Sequence, residues 1–346
     1  MGDVRPCITL RPMCISCELP LQCYNIAFME GRMERRAGVG SGVRAKRISR
    51  MIRTRLMAGL TAALLFVGMA PASAKTLDVV ASFSVLADVV SNVGGEHVRV
   101  RSLIPAGGDP HEFEPSPADA KALKEADVVF LSGLGLEGWM TRLASASGYK
   151  GTPVIVSEGI ATRSMDEDGE TVTDPHVWNE AANVLVWIAN IEKALVAADP
   201  QDADAIHANA QAYATKVRDL DTYARTELGK IPRDQRKILT SHDAFGYFGR
   251  AYGVDLLAPL GLSTDAEASA KTIAALIGQI KAEKVKAYFF ENSNDPRLVK
   301  QIGEATGARP GGELFVESLS PKGGPAATWL EMFRYNTDQV LDALRK

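Results

Sequence analysis

The chain has 346 residues, 46% of them hydrophobic and 23% charged, with a formal net charge of −3. That composition is ordinary for a soluble globular protein, and the length suffices for two domains with their own cores. Residues 1–74 carry 11 Lys+Arg against 4 Asp+Glu, which leaves 28 against 38 over residues 75–346; a body with a net charge of about −10 argues against nucleic acid and is compatible with a cation.

All four cysteines (Cys7, Cys14, Cys17, Cys23) lie in the first 23 residues. The Cys14-x-x-Cys17 spacing invites a zinc or redox reading, but the segment up to Arg50 shows no periodic apolar pattern. From Met51 the chain reads differently. Arg53 and Arg55 give a basic start, Leu56 to Met69 an apolar run, and Ala72-Ser73-Ala74 a cleavage site, together a secretory signal peptide over residues 51–74. The run is short for a bilayer span. Residues 1–74 are therefore expected to be a leader, with a mature, exported, periplasmic protein beginning near Lys75. No cysteine follows the cleavage site, so a lipid anchor there has no support.

The body alternates strands and helices. Thr76–Ala81 reads as a strand, Phe83–Val93 as a helix stopped by Gly94-Gly95, and Val98–Ile104 as a second strand ending at Pro105. Ser116-Pro117-Ala118-Asp119 has the chemistry of a helix start. Val128–Leu131 is a buried strand, followed by a helix from about Leu136 and a strand over Pro153–Val156. Met165–Thr173, rich in acid and glycine, reads as an exposed loop. Asn179–Ala198 is helical. Asp202 to about Leu228 predicts one long helix without internal Gly or Pro, about 40 Å at 1.5 Å per residue, with Ile206, Ala210, Tyr213, Val217 and Leu220 on one face. After Pro232 the alternation restarts: strands over Lys237–Thr240, Val254–Leu257, Val285–Phe290 and Leu314–Glu317, with helices at Asp243–Ala251, Glu267–Glu283, Pro296–Thr306 and Ala326–Leu344. Such alternation predicts an α/β fold of two lobes, each a parallel sheet flanked by helices, joined by one long rigid helix. The expected boundaries are a lobe over 75–200, a linking helix over 201–230 and a second lobe over 231–346.

Gly133-x-Gly135-x-x-Gly138 follows a strand and has Glu158 twenty residues beyond Gly138, as in a dinucleotide fingerprint. In the third strand of an exported protein it reads instead as a flexible strand-to-helix turn.

Three of the five histidines share a context. His111 lies in Asp109-Pro110-His111-Glu112-Phe113-Glu114-Pro115, where the flanking prolines disfavour a helix and Gly107-Gly108 allow a turn. His176 lies in Asp174-Pro175-His176-Val177-Trp178, and His242 in Ser241-His242-Asp243-Ala244-Phe245. Ligands of open parallel sheets bind beyond the carboxyl ends of strands. His111, His242 and Asp295 each follow a predicted strand there, and His176 opens a helix. Three imidazoles and a carboxylate suit zinc, so His111, His176, His242 and Asp295 are the expected metal ligands, with Glu291 the competitor of Asp295. Glu112, Glu114 and Asp243 are candidate acceptors for imidazole N–H groups, and Trp178, Phe113 and Phe245 candidate walls of the cleft. His97 and His207 lack this context.

Gly108-Asp109-Pro110-His111-x-Phe113-Glu114-Pro115, Asp174-Pro175-His176-x-Trp178, Ser241-His242-Asp243-Ala244-Phe245-x-Tyr247 and Phe290-Glu291-x-x-x-x-Pro296 together resemble the periplasmic solute-binding proteins of ABC importers for zinc and manganese, the cluster whose lobes are joined by one long helix. The resemblance covers about residues 76–345. It implies a non-enzymatic, monomeric protein that captures a divalent metal and delivers it to an inner-membrane permease, and it places the ligand set on His111, His176, His242 and Asp295. Zinc-importing relatives often carry a His-rich loop before the second histidine, absent here. Manganese-binding relatives often have Glu at the third position, where this chain has His242. Imidazole favours zinc over manganese, so Zn(II) is the first expectation and Mn(II) the second. A zinc-dependent hydrolase with Glu112 or Glu291 as base is the reading from another class; no H-E-x-x-H motif supports it.

Overall fold

The computed structural model describes residues 75–167, 169–261 and 269–346. The expected leader, residues 1–74, and the four cysteines lie outside these residues. Strands β1 (Leu77–Phe83), β2 (Val98–Ile104), β3 (Val128–Leu131) and β4 (Val154–Ile155) form a parallel sheet in the order β2-β1-β3-β4. β1 and β3 are buried on both faces, which is why they read as continuous apolar runs rather than alternating ones. Helices α1 (Ser84–Gly94), α2 (Pro117–Glu125) and α3 (Met140–Ser147) provide the crossovers. Ser116 starts α2 with a capping box: its hydroxyl accepts from Asp119 N–H while Asp119 accepts from Ser116 N–H, with Pro117 just inside the helix.

Residues 164–173 differ from the expected loop. They form an antiparallel hairpin, β5 (Ser164–Glu167) with β6 (Glu170–Thr173), and bury Met165. Two further helices follow, α4 (Ala181–Ala198) and α5 (Ala203–Gly229). α5 runs 27 residues, buries Ile206, Ala210, Tyr213, Ala214, Val217, Ala224 and Leu228, and packs against α1 and α4. Its alanine-rich, Gly-free interior gives it high helix propensity, and Pro232 lies just past its end.

The second sheet comprises β7 (Lys237–Leu239), β8 (Asp255–Leu257), β9 (Ala287–Glu291) and β10 (Arg309–Leu314), parallel in the order β10-β9-β7-β8. Counted within its own half, this is the same strand order as the first sheet. Helices α6 (Gly246–Tyr252), α7 (Ala270–Glu283), α8 (Arg297–Thr306) and α9 (Trp329–Arg345) surround it. α6 begins three residues later than the sequence suggests. His242 makes an isolated parallel bridge with Leu260, and Asp243 N–H donates to Leu260 O, so this stretch extends the strand before the helix can start. β10 begins and ends earlier than expected. Its Pro310-Gly311-Gly312 run carries a register shift and is tolerated because β10 is an edge strand, which leaves Phe315–Glu317 beyond the sheet.

One contiguous core joins both halves, from Val79 and Phe130 through Trp187 and Val217 to Tyr247, Phe289 and Trp329. A satellite cluster of Leu239, Leu276, Ile280 and Ile302 fills the space between the second sheet and helices α7 and α8.

Candidate metal centre

The first and third strands of each sheet are neighbours from which the chain departs in opposite directions, the switch point where parallel sheets hold ligands. In the first sheet that position is filled from within. Glu137, buried, accepts from Ser82 Oγ (2.7 Å), Ser132 N–H (2.7 Å) and Gly133 N–H (2.9 Å), and burial pushes its pKa up despite these donors. The amides that a dinucleotide phosphate would need are therefore occupied by a side chain. Gly133 (φ 88°) and Gly135 (φ 91°) serve the strand-to-helix turn.

In the second sheet, β7 leads through Thr240 and Ser241 to His242, and β9 ends on Glu291. Glu291 Oε1 accepts from the N–H groups of Ser241 (2.9 Å) and His242 (3.2 Å), while Oε2 pairs with His242 Nδ1 and accepts from Asn294 Nδ2 (2.9 Å). Both atoms are in use, so Glu291 fixes the backbone and the ring of His242 and turns Nε2 outward.

His176 is oriented in the same manner. Asp174 Oδ1 accepts from its backbone N–H (2.9 Å) and from Nδ1–H (2.8 Å), and Asp174 Oδ2 pairs with Arg163. Asp109 Oδ1 accepts from His111 N–H (2.8 Å), and Trp139 Nε1–H donates to Pro110 O (3.2 Å), which holds the first histidine loop. Gly107 (φ 82°) starts that loop in a left-handed conformation.

The three Nε2 atoms converge on one oxygen. Glu317 Oε1 lies 2.7 Å from His111 Nε2 and 3.1 Å from both His176 Nε2 and His242 Nε2. The four side chains can each offer one atom within 4.8 Å of the others, the shape of a metal site. His176, His242 and Glu317 are fully buried, and His111 keeps 11% of its side chain exposed. Burial would raise the Glu317 pKa, but the imidazoles of His242 and His111 outweigh it and hold the carboxyl well below its ordinary value. Burial would likewise lower His242, and the carboxylates of Glu291 and Glu317 reverse that and hold it well above its ordinary value. His176 is raised against its own burial by Asp174 and Glu317. Glu317 Oε2, also buried, has no hydrogen-bond partner among the described residues.

The structure thus gathers His111, His176 and His242 but not Asp295. The carboxylate of Asp295 is about half exposed and folded back on Arg297, accepting from its N–H (2.9 Å) and Nε–H (2.6 Å) at the start of α8. A carboxylate two residues before an arginine at a helix N-terminus has a local partner, and that partner turns it from the cleft. The fourth side chain of the cluster is Glu317, in the loop after β10. The orienting acceptors are Asp174 and Glu291 rather than the expected Asp243, which lies 4.0 Å from Arg163. His97 pairs with Asp202 (2.7 Å) and His207 with Glu192, both away from the cluster. Trp178 forms a wall: its ring centroid is 5.5 Å from His176 and 4.9 Å from Phe83, and its Nε1–H donates to Val316 O (2.7 Å), one residue before Glu317. Phe113 packs on Trp139 (4.8 Å) and Phe245 on Phe248 (5.9 Å).

Comparison with known proteins agrees with this architecture. Residues 79–343 match the family described as zinc-uptake complex component A, periplasmic. The manganese-binding lipoprotein MntA of Bacillus subtilis is 35% identical over 303 residues, covering 83% of this chain and 99% of that protein. The iron ABC transporter substrate-binding lipoprotein MtsA of Streptococcus pyogenes is 32% identical over 308 residues, covering 87% and 99%. The solved structure of the periplasmic zinc-binding protein TroA of Treponema pallidum superposes with a TM-score of 0.72 at 30% identity, covering 78% of this chain and 99% of that one. The chain therefore belongs to the periplasmic zinc-uptake component A family, whose members are substrate-binding proteins of ABC importers and not enzymes.

Proposed function

We propose that this protein captures one divalent metal ion between its lobes, with His111, His176, His242 and Glu317 as ligands, and hands it to an ABC permease in the inner membrane. The observation that carries the reading is the crowding at Glu317. One carboxylate oxygen faces three imidazole nitrogens while the other, buried, meets no donor among the described residues. A divalent cation at the centre answers both, taking three nitrogens and one or both oxygens. Two of the rings have their far nitrogen held by a carboxylate, as metal-bound histidines do.

Zn(II) is the ion this donor set favours, since imidazole suits zinc and manganese prefers oxygen. Four protein ligands suffice for a closed zinc shell. Mn(II) is the second reading, supported by the manganese-binding relative and by the spare oxygen of Glu317, which permits bidentate coordination. The protein acts as a monomer outside the cytoplasm, exported by its leader, and its passage through the periplasm ends at the permease.

Competition titration of the mature protein with zinc against manganese tests the reading. One ion per chain is expected, with zinc displacing manganese. Glu317→Ala should weaken zinc binding by about 100-fold or more, because it removes the anionic ligand and leaves three imidazoles facing one another. Asp295→Ala should stay within about twofold of wild type, since its exposed pair with Arg297 has little energetic weight. Wild-type affinity in Glu317→Ala, or a loss confined to Asp295→Ala, would sink this assignment.

A further inference from the structure

Helix α6 reaches across to the other lobe and touches the support of His176. The Arg163 guanidinium lies against Gly246, the first residue of α6, so closely that a Cβ at 246 would overlap its Nη1. That same Nη1 pairs with Asp174 Oδ2, and Asp174 Oδ1 holds both the backbone N–H and the Nδ1–H of His176. Tyr247 completes the joint: its hydroxyl donates to Asp174 O (2.9 Å) and accepts from Arg163 N–H (3.2 Å). Asp174 is wholly buried, and the Arg163 side chain is about one-quarter exposed. The chain from α6 to the cluster is therefore continuous: Gly246, Arg163, Asp174, His176.

We propose that Arg163 is a positioning residue for metal binding, and that Gly246 is there to admit it. Arg163 contacts no ligand atom. By holding one oxygen of Asp174 it leaves the other with a single orientation, which fixes the His176 ring with Nε2 toward Glu317. The arrangement ties a ligand of the first lobe to a helix of the second, so the ring is aimed fully only when the lobes are docked at this joint. A side chain at 246 would push the guanidinium off Asp174 although Gly246 itself offers no polar side-chain group. The inference rests on the metal-binding reading above.

The test is a double-mutant cycle on the full mature chain, with zinc affinity measured by chelator competition. Arg163→Met and Gly246→Ala should each weaken binding by about 10–100-fold, the range for losing a group that orients a ligand. The double variant should lose no more than Arg163→Met alone, because both act through the same guanidinium. Arg163→Lys, which keeps a cation on a similar stem, should recover part of the affinity. In the zinc-loaded protein, nitrogen-15 NMR should show the downfield His176 Nδ1–H resonance of wild type shifted or lost in Arg163→Met and Gly246→Ala. Additive losses, or an unmoved resonance beside an unchanged affinity, overturn the proposal while wild-type binding leaves the metal site standing. If wild type binds no zinc, or His176→Ala binds it as tightly as wild type, the metal-binding reading fails and the positioning role with it. If Arg163→Met does not fold, Gly246→Ala decides alone: wild-type affinity and spectrum there overturn the proposal.

Discussion

In the proposed site, His176 and His242 enter the metal-binding equilibrium as proton carriers. Both are held above their ordinary value of 6.5, His242 strongly, by the carboxylates that face them, so each holds its proton more tightly than a free imidazole does. A metal takes only the neutral ring, so each binding event releases protons. With one to two protons displaced, apparent zinc affinity should fall by about 10- to 100-fold for each unit of pH between 8 and 6, read by chelator competition. A flat profile over that window would place the released protons elsewhere. Metal-free stability follows the opposite sense. The raised imidazoles contribute fully below about pH 6.5 and lose that contribution as pH rises through their folded values. Glu317, depressed, contributes above about pH 4.5 and loses it in acid. Release in acid is thus the behaviour expected of the proposed site.

At the scale of elements, what a ligand needs is a strand or helix that ends in the right place. α2 illustrates how local signals secure this. Ser116 and Asp119 cap it, and Asp119 Oδ1 also accepts from Arg101 Nη2 (3.1 Å) on β2, so the helix start is tied to the strand on the other side of the His111 loop. Ser116→Ala should cost about 1 kcal/mol, measured as a lower urea midpoint at unchanged slope. This cap was legible in four residues of sequence. So were the three histidines, because β2 and β7 announce their carboxyl ends by Pro105 and by the break in apolar residues after Leu239, and because the flanking motifs resemble a known family. Glu317 was not legible. Pro310-Gly311-Gly312 speaks against a strand, so the reading began β10 late and put Glu317 inside it. Asp295 drew the assignment because it follows β9 and because the family resemblance placed a ligand there, and sequence gives no view of Arg297 folding back on it. The hairpin over 164–173 carried a turn signal in Asp168-Gly169, masked by the acid that made the whole segment look exposed.

Over the whole molecule, the two sheets repeat one strand order and yet share a core. Trp329 Nε1–H donates to Trp178 O (3.1 Å), Asp88 accepts from Trp329 N–H (2.8 Å), and Tyr213 donates to Asp88 (3.4 Å), which joins α9, α1 and α5 at one point. α5 packs along α9 as well as α1 and α4. Halves bound this way should not melt separately. Calorimetry of the mature protein is expected to show a single transition, with calorimetric and van't Hoff enthalpies in agreement, and two resolved transitions would contradict the shared core. Zinc at 100 times its dissociation constant should add about 2.7 kcal/mol to that transition.

Trp178 gives the molecule an internal lamp. Its indole sits between the His176 ring and two aromatic neighbours, Phe83 and Trp187. A metal taken up at the proposed site would change the surroundings of that indole, so arrival and departure of the cargo should register in the natural ultraviolet emission, without any dye.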